Sequence, residues 1–381
     1  MNAERLHAIA IALKKEMDER NTLGKLQNLI TTLQNLVNNP AHAQHQQSFS
    51  QARDEMYATV LRTPSDEFSA SWCDILRAIG GEKMVGNALK AKIENAFERN
   101  PLTPAVTLGE LHTINNALKE FKNALDQLVS SLTLFNIGHE TLKPGECEIG
   151  ILIPRAAVEH RLSLFAKELK EFESILGVFS EVATGRKDEL RIRTISTSEL
   201  LVYLSAVPPA AACFAFAIDK VVDAYKKILD IRSHRNSLHK QGVPDDAMAG
   251  IEIYANKKMG ETIEQVTQEI VKDFYKKGDE GRRHELNNHI KIALYKIAKR
   301  IDSGYSLEVR AQPLEPSDKK GSDTQTQRSI SLIMAARPNM QFISLGGRPI
   351  LMLPEGAQKP PRKSPTRRKK IAKANEPSSQ S

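Results

Sequence analysis

Apolar side chains along the first 140 residues recur at helical spacing. Leu6, Ile9, Leu13 and Met17 share one stripe, and Leu23, Leu26, Ile30, Leu33 and Val37 follow at intervals of 3, 4, 3 and 4 before Asn38-Asn39-Pro40. Residues three and four apart lie on one helical face, so each run predicts an amphipathic helix. A polar stretch, Ala41 to Gln47, leads into a further helix ending near Leu61. Thr63-Pro64-Ser65 restarts the chain, with Asp66 and Glu67 in a first turn, where the helix dipole favours anions. Trp72, Ile75, Leu76 and Ile79 make the next apolar face, Gly80-Gly81 breaks it, and another helix is expected over 82–99.

The clearest periodicity comes next. Leu111, Ile114, Leu118, Phe121, Leu125, Leu128, Leu132 and Phe135 alternate spacings of 3 and 4 without interruption, a heptad seam. Its flanks hold Ala117, Ala124 and Ser131 on one side instead of complementary charges. Small flanking residues let a second helix approach closely, which favours packing in a bundle over a free coiled coil. The seam reads as core.

At Lys143-Pro144-Gly145 the period changes to two. Cys147, Ile149, Ile151 and Ile153 alternate with Glu146, Glu148, Gly150 and Leu152, the pattern of a strand. Pro154 then opens a helix carrying Val158, Leu162, Phe165, Leu169, Phe172, Leu176 and Phe179, and Leu190, Ile192 and Ile195 give a second strand. Strand–helix–strand predicts parallel neighbours joined by a right-handed crossover. Ser196-Thr197-Ser198-Glu199 fits a capping box, which points to a short helix over 200–206 instead of a third strand. Helices are expected from Pro208, over 245–277 and over 282–302, and one more strand over 305–310. Residues 314–328 lack apolar periodicity and read as a linker or long loop; 330–335, 340–345 and 350–353 are short apolar runs that read as a β-meander.

The fold class expected is therefore mainly α with a smaller α/β (α+β) part: a helical bundle over 1–143, an α/β region with long helices over 144–312, a linker over 313–328, a β-meander over 329–353 that adds to the central sheet, and a basic tail over 354–381.

Charge alters this picture at one end only. The chain of 381 residues carries a formal +8. Residues 354–381 hold Lys359, Arg362, Lys363, Arg367, Arg368, Lys369, Lys370 and Lys373 against Glu355 and Glu376, so this stretch contributes +6 and residues 1–353 only +2. Five prolines and scarcely a bulky apolar group leave it too little burial to offset roughly 1–2 kcal/mol per residue of backbone ordering, and it is expected to be disordered. Clustered cations displace counterions from nucleic acid, which makes these eight residues the candidate nucleic-acid contacts; an anionic membrane surface would attract them too.

Chemical motifs are few. Gly81 and Gly86 are spaced as in a phosphate-binding loop, but Asn87-Ala88 stands where a lysine and a hydroxyl are required. His284 and His289, like His234 and His239, are five apart and diverge by about 140° on a helix, so neither pair can share a metal. Cys73, Cys147 and Cys213 lack paired spacing and sit in apolar patterns, which suits a reducing, cytoplasmic setting. No cofactor or metal is expected. Arg155, Arg161, Lys187, Arg191 and Arg193 cluster around the strand ends of the middle region, where a common anion pocket would form if those ends met. Residues 200–218 are the most apolar stretch, nearly long enough to span a bilayer.

Three functional readings follow. The first is a non-enzymatic cytoplasmic interaction or scaffold protein, of the kind a bacterial accessory or defence component would be. It meets a protein partner or itself through helical surfaces, with weak, sequence-independent nucleic-acid affinity in the tail. The second is a membrane-acting effector using 200–218, and the third an enzyme whose site is assembled from distant polar residues.

Overall fold

The computed structural model describes residues 3–196, 200–244, 249–276, 279–314, 324–340 and 349–352. The periodic runs of the first part become α1 (Ala3–Glu19), α2 (Thr22–Asn38), α3 (Ala43–Val60), a 3-10 turn (Pro64–Glu67), α4 (Ala70–Ala78), α5 (Gly86–Arg99) and α6 (Pro104–Leu134). They share one core in which Ile9, Leu13, Leu26, Leu33, Leu89 and Leu118 are buried. The seam of α6 is buried in that core as far as Leu125, Leu128 packs against its edge, and Phe135 is exposed. The seam packs into the bundle, while of its small flanking residues Ala117 is half-buried and Ala124 and Ser131 are exposed.

Borrowed carboxylates close the helix starts. Glu16 of α1 accepts from the Ser65 amide at 2.7 Å, and Asp66 from the Asn87 amide at 2.8 Å, which caps α5 just after Gly86. Gly86 has φ +56°, a backbone that suits glycine, so the glycine pair punctuates helices and forms no phosphate loop.

Past the bundle come β1 (Cys147–Ile153), α7 (Leu162–Thr184), β2 (Arg191–Ser196), β3 (Leu200–Ala206), α8 (Pro208–Lys240), α9 (Ala249–Phe274), α10 (Glu280–Asp302), β4 (Ser306–Ala311) and α11 (Thr324–Met340). Mainly helical with a small sheet, the fold has the expected class. Its topology corrects three local expectations. The sheet runs β2-β3-β1-β4 and every pairing is antiparallel, so β1 and β2 are not parallel neighbours. The strand between them is β3, over the residues expected to be a short helix; three of the four capping-box residues, 197–199, lie outside the described residues. Nonlocal pairing with both neighbours overrides the local cap signal there.

The third correction concerns the C-terminal meander. Residues 330–335 belong to α11, which begins inside the expected linker at Thr324. A short apolar run fits either period, and here Ile330, Ile333, Ala336 and Met340 are buried at helical spacing. Residues 349–352 form no strand and do not join the sheet: the amides of Ile350 and Leu351 each donate to Asp302 at 2.7 Å. The rest of the expected meander, 341–348 and 353, lies outside the described residues.

One face of the sheet carries Ile149, Ile151, Ile153, Val202, Leu204, Leu307 and Val309 into a core shared with α7–α11. Each isoleucine buried there is worth about 1.5–3 kcal/mol. The stretch 200–218 divides at Val207 into β3 and the buried start of α8, where Ala211 to Ala215 are fully enclosed. No described helix is long and apolar enough to cross a membrane.

Candidate functional site

The other face of the sheet is polar, yet it is not open to solvent. Alternation along β1 turns Glu148 and Gly150 away from the apolar core, and the register sets Arg310 opposite Glu148, with Glu308 and Tyr203 flanking Gly150. The helical bundle covers this face. Glu148 is wholly buried, and Tyr203, Glu308 and Arg310 are 1%, 5% and 8% exposed. A Cβ on Gly150 would lie 2.7 Å from both Glu308 Cγ and Tyr203 Cε1, so the glycine makes room for these two side chains.

Arg5 of α1 descends into the middle of this face. Its guanidinium stacks 3.3 Å from the Tyr203 ring centre and lies 2.7 Å from Glu140 and 3.5 Å from Glu148. Arg310 reaches Glu148 at 2.7 Å from the other side. Glu308 accepts from the amide (3.1 Å) and the hydroxyl (2.8 Å) of Ser71, capping the first turn of α4, and Tyr203 donates to the same hydroxyl at 2.9 Å. Sheet and bundle are thus joined by hydrogen bonds and ion pairs instead of a continuous apolar contact.

Burial governs the titration of these groups. It pushes the Glu148 carboxyl up, and the arginines beside it only partly offset that. Tyr203 is raised well above the usual tyrosine range by burial and then by Glu308. Burial also disfavours the charge of Arg5, but Tyr203, Glu148, Glu140 and Glu308 together outweigh it and hold its pKa above the ordinary value. The thiols are pushed away from thiolate by burial, Cys73 to about 11 and Cys147 to about 12.

A cavity of about 480 Å³ opens beside this junction. Ile11 of α1, Phe68 and Trp72 give it apolar walls; Arg310 of β4 and Arg337 of α11 enter from the opposite side. The Arg310 guanidinium lies 5.0 Å from the centre of the Trp72 ring, and Trp72 packs edge-on to Phe68 at 4.9 Å. Burial, and then the like charge of Arg310, lower the pKa of Arg337. The buried Nε atoms of Arg310 and Arg337 and the indole N–H of Trp72 find no hydrogen-bond partner among the described residues.

The middle-region cations are spent separately. Arg193 pairs with Glu146 at 3.0 Å, Arg161 with Glu159 at 3.1 Å and Lys187 with Glu181 at 4.0 Å, while Arg191 lines a different cavity of about 350 Å³ with Asp188 and Glu189. This replaces the single anion pocket expected from their place in the sequence. Among the described residues no cluster of histidine, cysteine and carboxylate side chains could hold a metal. The tail cations Lys359, Arg362, Lys363, Arg367, Arg368, Lys369, Lys370 and Lys373 lie outside the described residues.

Sequence reading did not find Arg5, Glu140, Ser71, Tyr203, Glu308, Arg310 or Arg337. Charged residues alternating with apolar ones along β1 and β4 read as a solvated face. One sign of closure was present: a glycine in mid-strand, which often marks close approach by another part of the chain. No known protein family, curated protein or solved structure matches this chain.

Proposed function

We propose that the chain is a cytoplasmic, non-enzymatic interaction protein. A helical body meets a second copy or a protein partner through apolar helix surface, and residues 354–381 add sequence-independent affinity for nucleic acid. The observation that carries the first part is the far end of α6. There the last seam residue, Phe135, and its neighbour Leu134 are 72% and 78% exposed. Large apolar side chains side by side in solvent are a common mark of a contact surface. The burial of the charged groups agrees with this reading: Arg5 and Arg310 pair with Glu140 and Glu148 across the junction, and the raised thiols stay protonated near neutrality. The concentration of +6 in the tail supports the nucleic-acid part.

The arm is tested by titrating duplex DNA against the full chain and a chain stopped at Leu353 over a range of salt. Full engagement of eight cations gives a log–log slope of roughly −7, and the shortened chain loses it. Equal binding by both forms removes the arm from the proposal. For the helical surface, sedimentation of the Leu134→Glu, Phe135→Glu double variant is expected to show loss of an assembly formed by the unmodified chain. Unchanged assembly in the double variant places the contact elsewhere.

A further inference from the structure

We infer that the cavity between the bundle and the sheet is a binding site for a small organic monocarboxylate, its carboxylate held by Arg337 and Arg310 and its aromatic or apolar body lying on Trp72, Phe68 and Ile11. This is independent of the helical surface and of the tail.

The cavity has a size suited to small molecules, about 480 Å³ within the usual range of roughly 300–1,000 Å³. Its apolar walls meet a small set of polar donors at one end, the usual division of labour between affinity and orientation. Those donors are not exhausted. Arg310 is 92% buried, and while one arm of its guanidinium holds Glu148, its Nε has no acceptor among the described residues. The Nε of Arg337 and the indole N–H of Trp72 are in the same condition. Buried donors without acceptors cost about 1–3 kcal/mol each, a cost that an incoming acceptor removes.

The unmet donors suit a single negative charge. Arg5 is met by Glu140, Glu148 and, at 3.9 Å, Glu308, Arg310 by Glu148, and Lys15 at the rim by Glu19. Arg337 alone among these cations has no carboxylate at ion-pair distance among the described residues. Among the described residues its guanidinium donates to the backbone carbonyl of Glu67, at 3.4 Å, and the Glu67 and Glu308 carboxylates act on it from farther off. A guanidinium with no carboxylate in contact, beside a second whose Nε is unmet, suits an acceptor with two oxygens, and the planar fork of arginine matches a carboxylate. A phosphate dianion would bring a second negative charge close to Glu140 and Glu67 on the same walls.

Trp72 is the chain's only tryptophan, so its emission reports on this cavity directly. The full-length protein is titrated with 4-phenylbutyrate, its neutral amide 4-phenylbutyramide, and inorganic phosphate, with calorimetry alongside fluorescence. A saturable change in Trp72 emission is expected with the acid, at least about tenfold weaker with the amide, since a charge-assisted hydrogen bond to arginine is lost. Arg337→Gln is expected to weaken the acid about tenfold while leaving the amide unchanged, and Arg337→Lys to restore part of the difference. Circular dichroism confirms that each variant is folded. The proposal is overturned if emission and heat both stay flat up to roughly 10 mM acid, or if acid and amide bind alike. It is equally overturned if Arg337→Gln binds the acid as the unmodified chain does, or if phosphate displaces the acid with matching affinity.

Discussion

Two buried polar networks hold this molecule together, and they differ in what lies beside them. At the end of α10, Asp302 is fully buried and accepts from Tyr225 at 2.6 Å, from Arg232 at 3.2 Å, and from the amides of Ile350 and Leu351. One guanidinium meets one carboxylate within a single apolar core, and two backbone donors fill the remaining lone pairs. The junction network spans two layers instead. Arg5, Glu140, Glu148, Glu308 and Arg310 come from α1, a loop, β1 and β4, and beside them a cavity keeps three donors unmet among the described residues. A carboxylate closed on four donors ties a segment down; donors that border a cavity keep capacity for something else.

The largest effect is expected from breaking the closed network. Asp302→Ala leaves Arg232 charged and buried with two amides unpaired, and should lower stability by about 4 kcal/mol in urea unfolding. A loss below about 1 kcal/mol would show that the network is not closed in solution. Arg5→Met should cost roughly 3 kcal/mol, because Glu140 and Glu148 lose their shared cation. Unlike Asp302→Ala, it should also shift Trp72 emission in the folded protein, since Trp72 stands at the junction. Equal emission from both variants would erase the distinction between the two regions.

Gly150→Ala tests how tightly sheet and bundle approach. Glu308 and Tyr203 must both yield to the new Cβ, at a cost of about 2 kcal/mol; a neutral substitution would mean that this face is looser than the contacts show.

The smallest effect near neutrality is expected from Glu148→Gln, within about 1 kcal/mol, because glutamine keeps an acceptor oxygen for Arg5 and Arg310 while removing a charge whose burial is costly. The sign of its pH dependence is more informative. Glu148 is raised above the ordinary 4.5, chiefly by burial. A carboxyl that binds its proton more tightly when folded contributes stability in full below that value and loses it as pH rises through the folded value. Relative to the glutamine variant, the unmodified chain should therefore gain stability on acidification towards 4.5, as read from urea midpoints across that range. A gain in the opposite direction would mean that Arg310 and Arg5 outweigh burial.

Much of the fold was legible in the chain. The helices of the bundle, the seam of α6, β1 and β4 all follow from local periodicity, because a helix or strand with one buried face must repeat its apolar residues at its own period. The exceptions share a cause. Residues 200–206 and 330–335 are short apolar runs whose period is ambiguous, and what they pair with or pack on decides between strand and helix. The candidate site was less legible still, since Arg5 and Arg310 are 305 positions apart in the chain.

By itself, then, the sequence determined the helices of the bundle, β1 and β4, which face of each is apolar, and that the formal charge concentrates in the last 28 residues. Tertiary structure alone decided that β3 separates β1 from β2, that α11 replaces the expected meander, and that the polar face of the sheet is buried under the bundle. Periodicity records that a face is polar, but whether water or another layer covers it depends on contacts between residues far apart in the chain. In this protein the covering layer brings its own charges, and where the two layers do not quite meet they leave a cavity edged with arginine and tryptophan.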